Sequence, residues 1–288
     1  MTTGIFYHPS FSRRSYLTQG SRLQHFPAVL QPLLNSPRGS WRLYESPPVD
    51  EQLLLQVHTP KLLQDVRDDP LCSTAWLSAG GVVSAAEKIV RGEIRNGFAF
   101  IGAGGHHAGR NFFGGFCCFN DVVLAIRHLR ENHGVSRFAI LDTDAHHGDG
   151  TRSLLKDDPR SLHVCICSFS RQSSDGTKVD VPLHAPRAPL RNTEALDPRY
   201  VEAVLSAFQP RAQTFEPELL FWYFGFDTHQ GDYGDAGLTS QAYTSLAGAL
   251  KKSADDICEG RLLVVLGGGS RGDIAAEVIP PVIKALGR

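Results

Sequence analysis

Along the 288 residues, hydrophobic positions gather into short continuous runs that alternate with segments of three- and four-residue periodicity. The runs are "FAFI" (98–101), "FAILDTD" (138–144), "LHVCICSF" (162–169), "LLFWYFGFD" (219–227) and "RLLVVLGGG" (261–269), several of them running out into Gly, Asp or His. Between them, "NDVVLAIRHLRENHG" (120–134), "DPRYVEAVLSAFQ" (197–209), "LTSQAYTSLAGALKKSADDICEG" (238–260) and "GDIAAEVIPPVIKALGR" (272–288) repeat apolar residues at the spacing of an amphipathic helix. Near-continuous apolar strands separated by helices predict an α/β fold with a parallel sheet covered on both faces. Earlier in the chain, "GIFYHP" (4–9) reads as an edge strand. The segments at 21–34 and 73–93 read as helices, and "NSPRGSW" and "ESPPVDE" as proline-bearing loops. No repeat or linker divides the chain, so one domain over residues 1–288 is expected.

Parallel sheets bind ligands at the carboxyl ends of their strands. Four polar, glycine-rich segments fall there: "GAGGHHAG" (102–109), "DTDAHHGDG" (142–150), "GFDTHQGD" (225–232) and "GGGSRGD" (267–273). Asp144 and His146, two apart, face one side of an extended segment, and Asp227 closes a neighbouring strand. Zinc takes both nitrogen and oxygen ligands, and catalytic zinc sites commonly use three protein donors. A lone Asp-x-His is more often a loop cap. Here Asp142 and Asp149 are spare carboxylates, and His106 and His107 are imidazoles that such carboxylates orient and make basic.

Composition narrows the field further. A net charge of −1 offers no electrostatic footprint for nucleic acid or an anionic membrane. No run approaches the roughly 20 apolar residues of a membrane span, and the N-terminus lacks a signal-peptide pattern. The six cysteines, Cys72, Cys117, Cys118, Cys165, Cys167 and Cys258, lie mostly in apolar runs without CxxC pairs. They read as free thiols of a reducing compartment, and the protein as cytoplasmic.

With "GGHHAG", "GGFCCFND", "ILDTDAHHGDGT" and "GFDTHQGDYGDAGLT" in order, and weaker "YHPSF…SRL" and "VPLHAP" segments, the chain resembles the zinc-dependent deacetylases. That family comprises histone deacetylases, acetylpolyamine amidohydrolases and bacterial relatives. The resemblance implies an arginase-like fold with a parallel sheet of about eight strands. It implies removal of an acyl group from an acyl-lysine or acetylpolyamine-like amine by metal-activated water. It also implies one Zn2+ on Asp144, His146 and Asp227, and tandem catalytic histidines His106 and His107 with Asp142 and Asp149 as their respective partners. Gly115 and Phe116 correspond to the lining of the acyl-lysine channel. The segment from Asp142 to His146 corresponds to a monovalent-cation site, such as K+, formed largely by backbone carbonyls.

Two departures stand out. The family carries a Gly-Gly-Tyr segment whose tyrosine polarises the scissile carbonyl, whereas this chain reads "LGGGSRGD" and sets Ser270 there, or Arg271 with a one-residue shift. Losing an oxyanion donor costs about 10²–10³ in rate. Tyr233 is an alternative donor from another loop, although a plain loop aromatic is the simpler reading. The second departure is "SRQSSDGTKVDVPL", a short loop where relatives have a long one, which a partner chain in a homo-oligomer could complement. The leading expectation is a hydrolase. The rivals are a zinc-retaining, catalytically impaired acyl-ligand binder and a binuclear manganese ureohydrolase of the same fold.

Overall fold

A computed structural model describes residues 2–13, 22–37, 40–182 and 196–287. The elements in chain order begin with β1 (Thr3–Tyr7), α1 (Ser10–Arg13), α2 (Gln31–Leu34), β2 (Trp41–Glu45), α3 (Glu51–Val57), α4 (Pro60–Asp68), α5 (Ala75–Val90) and β3 (Asn96–Ala99). There follow α6 (Asp121–His133), β4 (Phe138–Asp142), α7 (Asp149–Leu154), β5 (Ser161–Cys167), β6 (Arg171–Gln172) and β7 (Lys178–Pro182). The chain closes with α8 (Leu196–Phe215), β8 (Leu219–Phe224), α9 (Ser240–Cys258), β9 (Leu262–Leu266) and α10 (Gly272–Leu286).

The strands form one nine-stranded sheet in the order β2-β1-β3-β9-β8-β4-β5-β7-β6. Every pairing is parallel except that of the two-residue β6 with β7. The predicted α/β class and parallel sheet of about eight strands are what the structure shows. Strands β3, β4, β5, β8 and β9 are buried along their whole length. This is why they read as unbroken apolar runs: both faces are covered, one helix group being built around α3, α5 and α6 and the other around α8, α9 and α10. Helix starts are written locally. Asn120 accepts from the Val123 amide at the start of α6, and Gly134 takes the left-handed conformation that ends it.

The four central strands, β3, β9, β8 and β4, are immediate neighbours. Their carboxyl-end loops are the four polar segments named above, so the sheet order itself gathers them.

Several expectations need correction. β1 is not an edge strand: it pairs with both β2 and β3. The edge is β2, whose mixed exposure hides it from an apolar-run search. Within residues 22–34 the helical part is shorter than expected: residues 22–27 are turns that end at Pro27, which lacks a backbone donor, and a 3-10 turn at Ala28–Leu30 runs into the short α2. The stretch after β5 is not a simple loop. It contains β6 and β7, and the buried Lys178 ammonium donates to the carbonyls of Asp158 and Ser161. Cys117, Cys165, Cys167 and Cys258 are free and buried as expected, but Cys72 and Cys118 form a disulfide, their Cα atoms 6.3 Å apart across 46 residues of sequence. Only tertiary packing brings these two together, which is why spacing gave no sign of it. Of the motif "VPLHAP", residues 183–186 lie outside the described residues, as does Ser21 of "SRL".

Candidate active site

The segment after β4 leaves the strand at Asp142 and bends, so Asp144 and His146 meet through the bend rather than along an extended face. The Asp144 carboxylate accepts from the amides of His146 (3.0 Å) and Gly268 (2.6 Å), and the Asp227 carboxylate accepts from the Ala145 amide (3.2 Å). His146 Nδ1 then lies 3.1 Å from Asp144 Oδ1 and 3.1 Å from Asp227 Oδ2. Both carboxylates are buried. Hydrogen bonds to them push the His146 imidazole up to about 10. Burial and the charge of Asp144 push Asp227 up to about 7. Two buried carboxylates and one imidazole nitrogen form a donor set that suits zinc. Gly268 keeps the space between them clear: a Cβ there would lie 2.5 Å from Asp144 Oδ2 and 2.9 Å from Asp227 Oδ2.

Beside this cluster stand the tandem histidines. His106 Nδ1 is 2.8 Å from Asp142 Oδ2, its ring stacks on Tyr223 with centroids 4.7 Å apart, and its Nε2 faces Asp144 Oδ1 at 3.7 Å. His107 Nδ1 is 2.6 Å from Asp149 Oδ1. The two imidazoles differ in basicity for physical reasons. Burial opposes charge on His106, but Asp142 and Asp144 outweigh it and hold the ring at about 9. Burial and the neighbouring His106 lower His107 despite Asp149. Burial likewise works against the Asp142 carboxylate, yet His106 keeps it below its ordinary value.

Gly115 carries φ +54°, and a Cβ there would lie 2.2 Å from the His107 ring. Phe116, also at positive φ (66°), lies exposed at the mouth. A non-glycine residue held in that region marks backbone geometry imposed by its surroundings. Together with His106, His107, Asp144 and His146 these two line a cavity of about 270 Å³. Asp142, Asp149 and Asp227 stand behind the residues that line it.

Ser270 does not line that cavity. Its hydroxyl donates to Asp232 Oδ1 at 3.1 Å, and the amides of Ser270 and Arg271 donate to the same carboxylate. Asp232 also accepts from the Tyr233 amide, so it ties the turn after β9 to the loop after β8. The consequence falls on Tyr233, which does line the cavity. Its ring lies 5.4 Å from that of His146, and its hydroxyl oxygen accepts from the Gly269 amide at 3.1 Å. Burial and the nearby Asp144 push the phenol pKa up, so the group is a neutral donor.

Two further residues carried little sequence signal. Arg22 is buried and donates to the carbonyls of Gly267 (2.5 Å), Gly269 (3.0 Å) and Ile101 (3.3 Å), which shapes the glycine turn after β9. Only the weak "SRL" match pointed to it. His58 Nδ1 donates to the Gly109 carbonyl at 2.8 Å and its Nε2 accepts from the Asn120 amide at 3.2 Å, bracing the His106–His107 loop. A lone histidine between two helices gives no hint of that role.

Comparison with known proteins places the chain in a family. The description "Histone deacetylase domain" matches residues 18–286. Histone deacetylase HDA1 of Candida albicans is 31% identical over 249 residues, 82% of this chain and 29% of that protein. Polyamine deacetylase HDAC10 of Homo sapiens is 31% identical over 228 residues, 74% of this chain and 33% of that protein. A probable deacetylase of Archaeoglobus fulgidus is 30% identical over 204 residues, 68% of this chain and 55% of that protein. The chain thus matches about a third of the length of the first two. In three dimensions the HDA15 HD domain superposes with a TM-score of 0.81, at 23% identity, covering 99% of this chain and 90% of that one. The sheet shares its fold with that domain, and over residues 18–286 the sequence assigns the chain to the histone deacetylase family.

Proposed function

We propose that the chain hydrolyses N-acyl amides, releasing an acyl group from an acyl-lysine or an acetylpolyamine-like amine, with zinc held by Asp144, His146 and Asp227. Zinc in that donor set supplies Lewis-acid chemistry, polarising a carbonyl and acidifying water. The other steps belong to side chains. His107, the less basic ring, takes a proton from the attacking water and delivers it to the departing nitrogen, oriented by Asp149. His106, held cationic by Asp142, stabilises negative charge next to it. Gly115 and Phe116 guide the acylated chain toward the cavity. A monovalent cation such as K+ on the carbonyls of the Asp142–His146 segment belongs to the same reading.

The observation that carries the proposal is the Tyr233 hydroxyl lining the cavity beside His146. It supplies the donor that the sequence of the β9 turn lacks, in keeping with an oxyanion-type role. The acyl-ligand binder drew its support from that missing tyrosine, and two differently tuned imidazoles in carboxylate pairs favour hydrolysis over it. The test is turnover of acyl-lysine peptides and acetylated polyamines by metal-loaded wild type and Asp144→Ala. Turnover that persists in protein shown to hold no metal would refute the zinc mechanism. Absence of turnover across the panel, with zinc-dependent ligand binding, would establish the binder instead.

A further inference from the structure

A second group of ligand-type side chains lies outside the cavity. His147, Cys165, Cys167 and Asp180 bring one nitrogen, two sulfurs and a carboxylate oxygen within 4.8 Å of one another. Their gathering is a product of the sheet. Cys165 and Cys167, two apart on β5, share one face. Asp180 on β7 is the register partner of Cys165. His147 comes from the loop after β4, one residue beyond His146. Cys165, Cys167 and Asp180 are buried, and the His147 side chain is 10% exposed.

The spacing is informative. Cys167 Sγ lies 3.6 Å from His147 Nδ1, and His147 Nδ1 lies 3.7 Å from Asp180 Oδ1. Zinc bonds of about 2.0–2.3 Å in tetrahedral geometry set donor–donor edges of about 3.4–3.8 Å. Two thiolates, an imidazole and a carboxylate also form a donor set that zinc accepts and that hard cations avoid. We propose that His147, Cys165, Cys167 and Asp180 form a second metal site, a closed four-ligand zinc centre that pins the loop bearing Asp144 and His146 to β5 and β7. With all four positions taken by protein, its role is structural.

The surroundings are compatible with that occupant. Cys165 and Cys167 lie on one face of β5 opposite Asp180, so an entering cation meets both sulfurs together, and coordination releases their protons. Asp180 meanwhile keeps Arg152, whose guanidinium donates to it at 2.9 Å. One group has to move. Arg171 donates through Nε to Asp180 Oδ2 at 2.6 Å and through Nη2 to His147 Nε2 at 2.7 Å, and the second bond leaves the His147 proton on Nδ1, the nitrogen that faces Cys167 and Asp180. Coordination through Nδ1 shifts that proton to Nε2 and expels Arg171, which sits half-exposed on the two-residue β6.

Cobalt(II) tests this without reference to turnover. The Asp144, His146 and Asp227 cluster contains no sulfur, and with Cys72 and Cys118 held in their disulfide a sulfur-to-cobalt charge-transfer band that depends on Cys167 reports the second site. Wild-type protein with that disulfide intact and its free thiols unoxidised, titrated with cobalt, is expected to develop that band. Cys167→Ser should abolish it and remove one metal equivalent, Asp144→Ala should retain it, and Arg171→Ala should bring it on at lower cobalt concentration. No band in folded wild-type protein prepared in that way overturns the site, as does a band unchanged in folded Cys167→Ser. Because the wild-type spectrum needs no variant, a folding defect in the serine variant does not rescue the idea. Failure here leaves the deacylase reading untouched, since the two sites share no ligand.

Discussion

Tyr233 and Gly269 are joined by a hydrogen bond in which the glycine amide donates to the phenol oxygen at 3.1 Å. A hydroxyl that accepts from a backbone amide still has its own hydrogen to give, and here it borders the cavity. Tyr233→Phe is therefore expected to lower kcat by about 10²–10³ with KM and metal content little changed. Ser270→Ala, which only loosens the Asp232 knot, should change kcat far less. Steady-state kinetics on one acetylated substrate separate the two, and the reverse order would return the donor role to the β9 turn.

Asp227→Asn preserves shape while removing a charged ligand. The expected result is a folded protein that has lost one equivalent of zinc and its turnover. Metal analysis after gel filtration, alongside circular dichroism, checks this.

Gly268→Ala should act in the same direction by filling the cradle. Its Cβ would lie 2.5 Å from Asp144 Oδ2 and 2.7 Å from the Tyr233 hydroxyl oxygen. A drop in zinc affinity and in kcat is expected. Gly114→Ala, whose Cβ would meet nothing within 4 Å, is the control that should retain both. Isothermal titration with zinc reads the difference.

Acid should loosen the fold through His58. Burial lowers its folded pKa to about 4, against about 6.5 when unfolded, so the unfolded chain binds more protons between those values. The contribution to stability is full above pH 6.5 or so and is lost as pH falls toward 4, by about 3 kcal/mol in all. Protonating Nε2 would also break its bond from the Asn120 amide. Urea unfolding of wild type and His58→Gln over that pH range tests this; the slope of stability against pH should differ between the two by about one proton, wild type losing more as pH falls.

Much of this protein can be read along the chain. Strands such as Leu219–Phe224 and Leu262–Leu266 are buried on both faces, so burial writes them as uninterrupted apolar runs, and their polar carboxyl ends announce a site. Asp144, His146 and Asp227 lie close to His106 and His107 because all five follow the carboxyl ends of strands in the centre of the sheet. β2 cannot be read in this way, since an edge strand of mixed exposure has no apolar signature, and neither can β7, whose Lys178 reads as a surface charge until its three hydrogen bonds are seen. The Cys72–Cys118 disulfide joins segments 46 residues apart. The choice between Ser270 and Tyr233 likewise rested on Asp232, which captures the Ser270 hydroxyl from 38 residues away and leaves Tyr233 at the cavity. Local pattern can encode which face of a strand is buried, because burial follows sequence period. It cannot encode which distant polar partner satisfies a side chain, because that depends on the packed positions of segments the period does not relate.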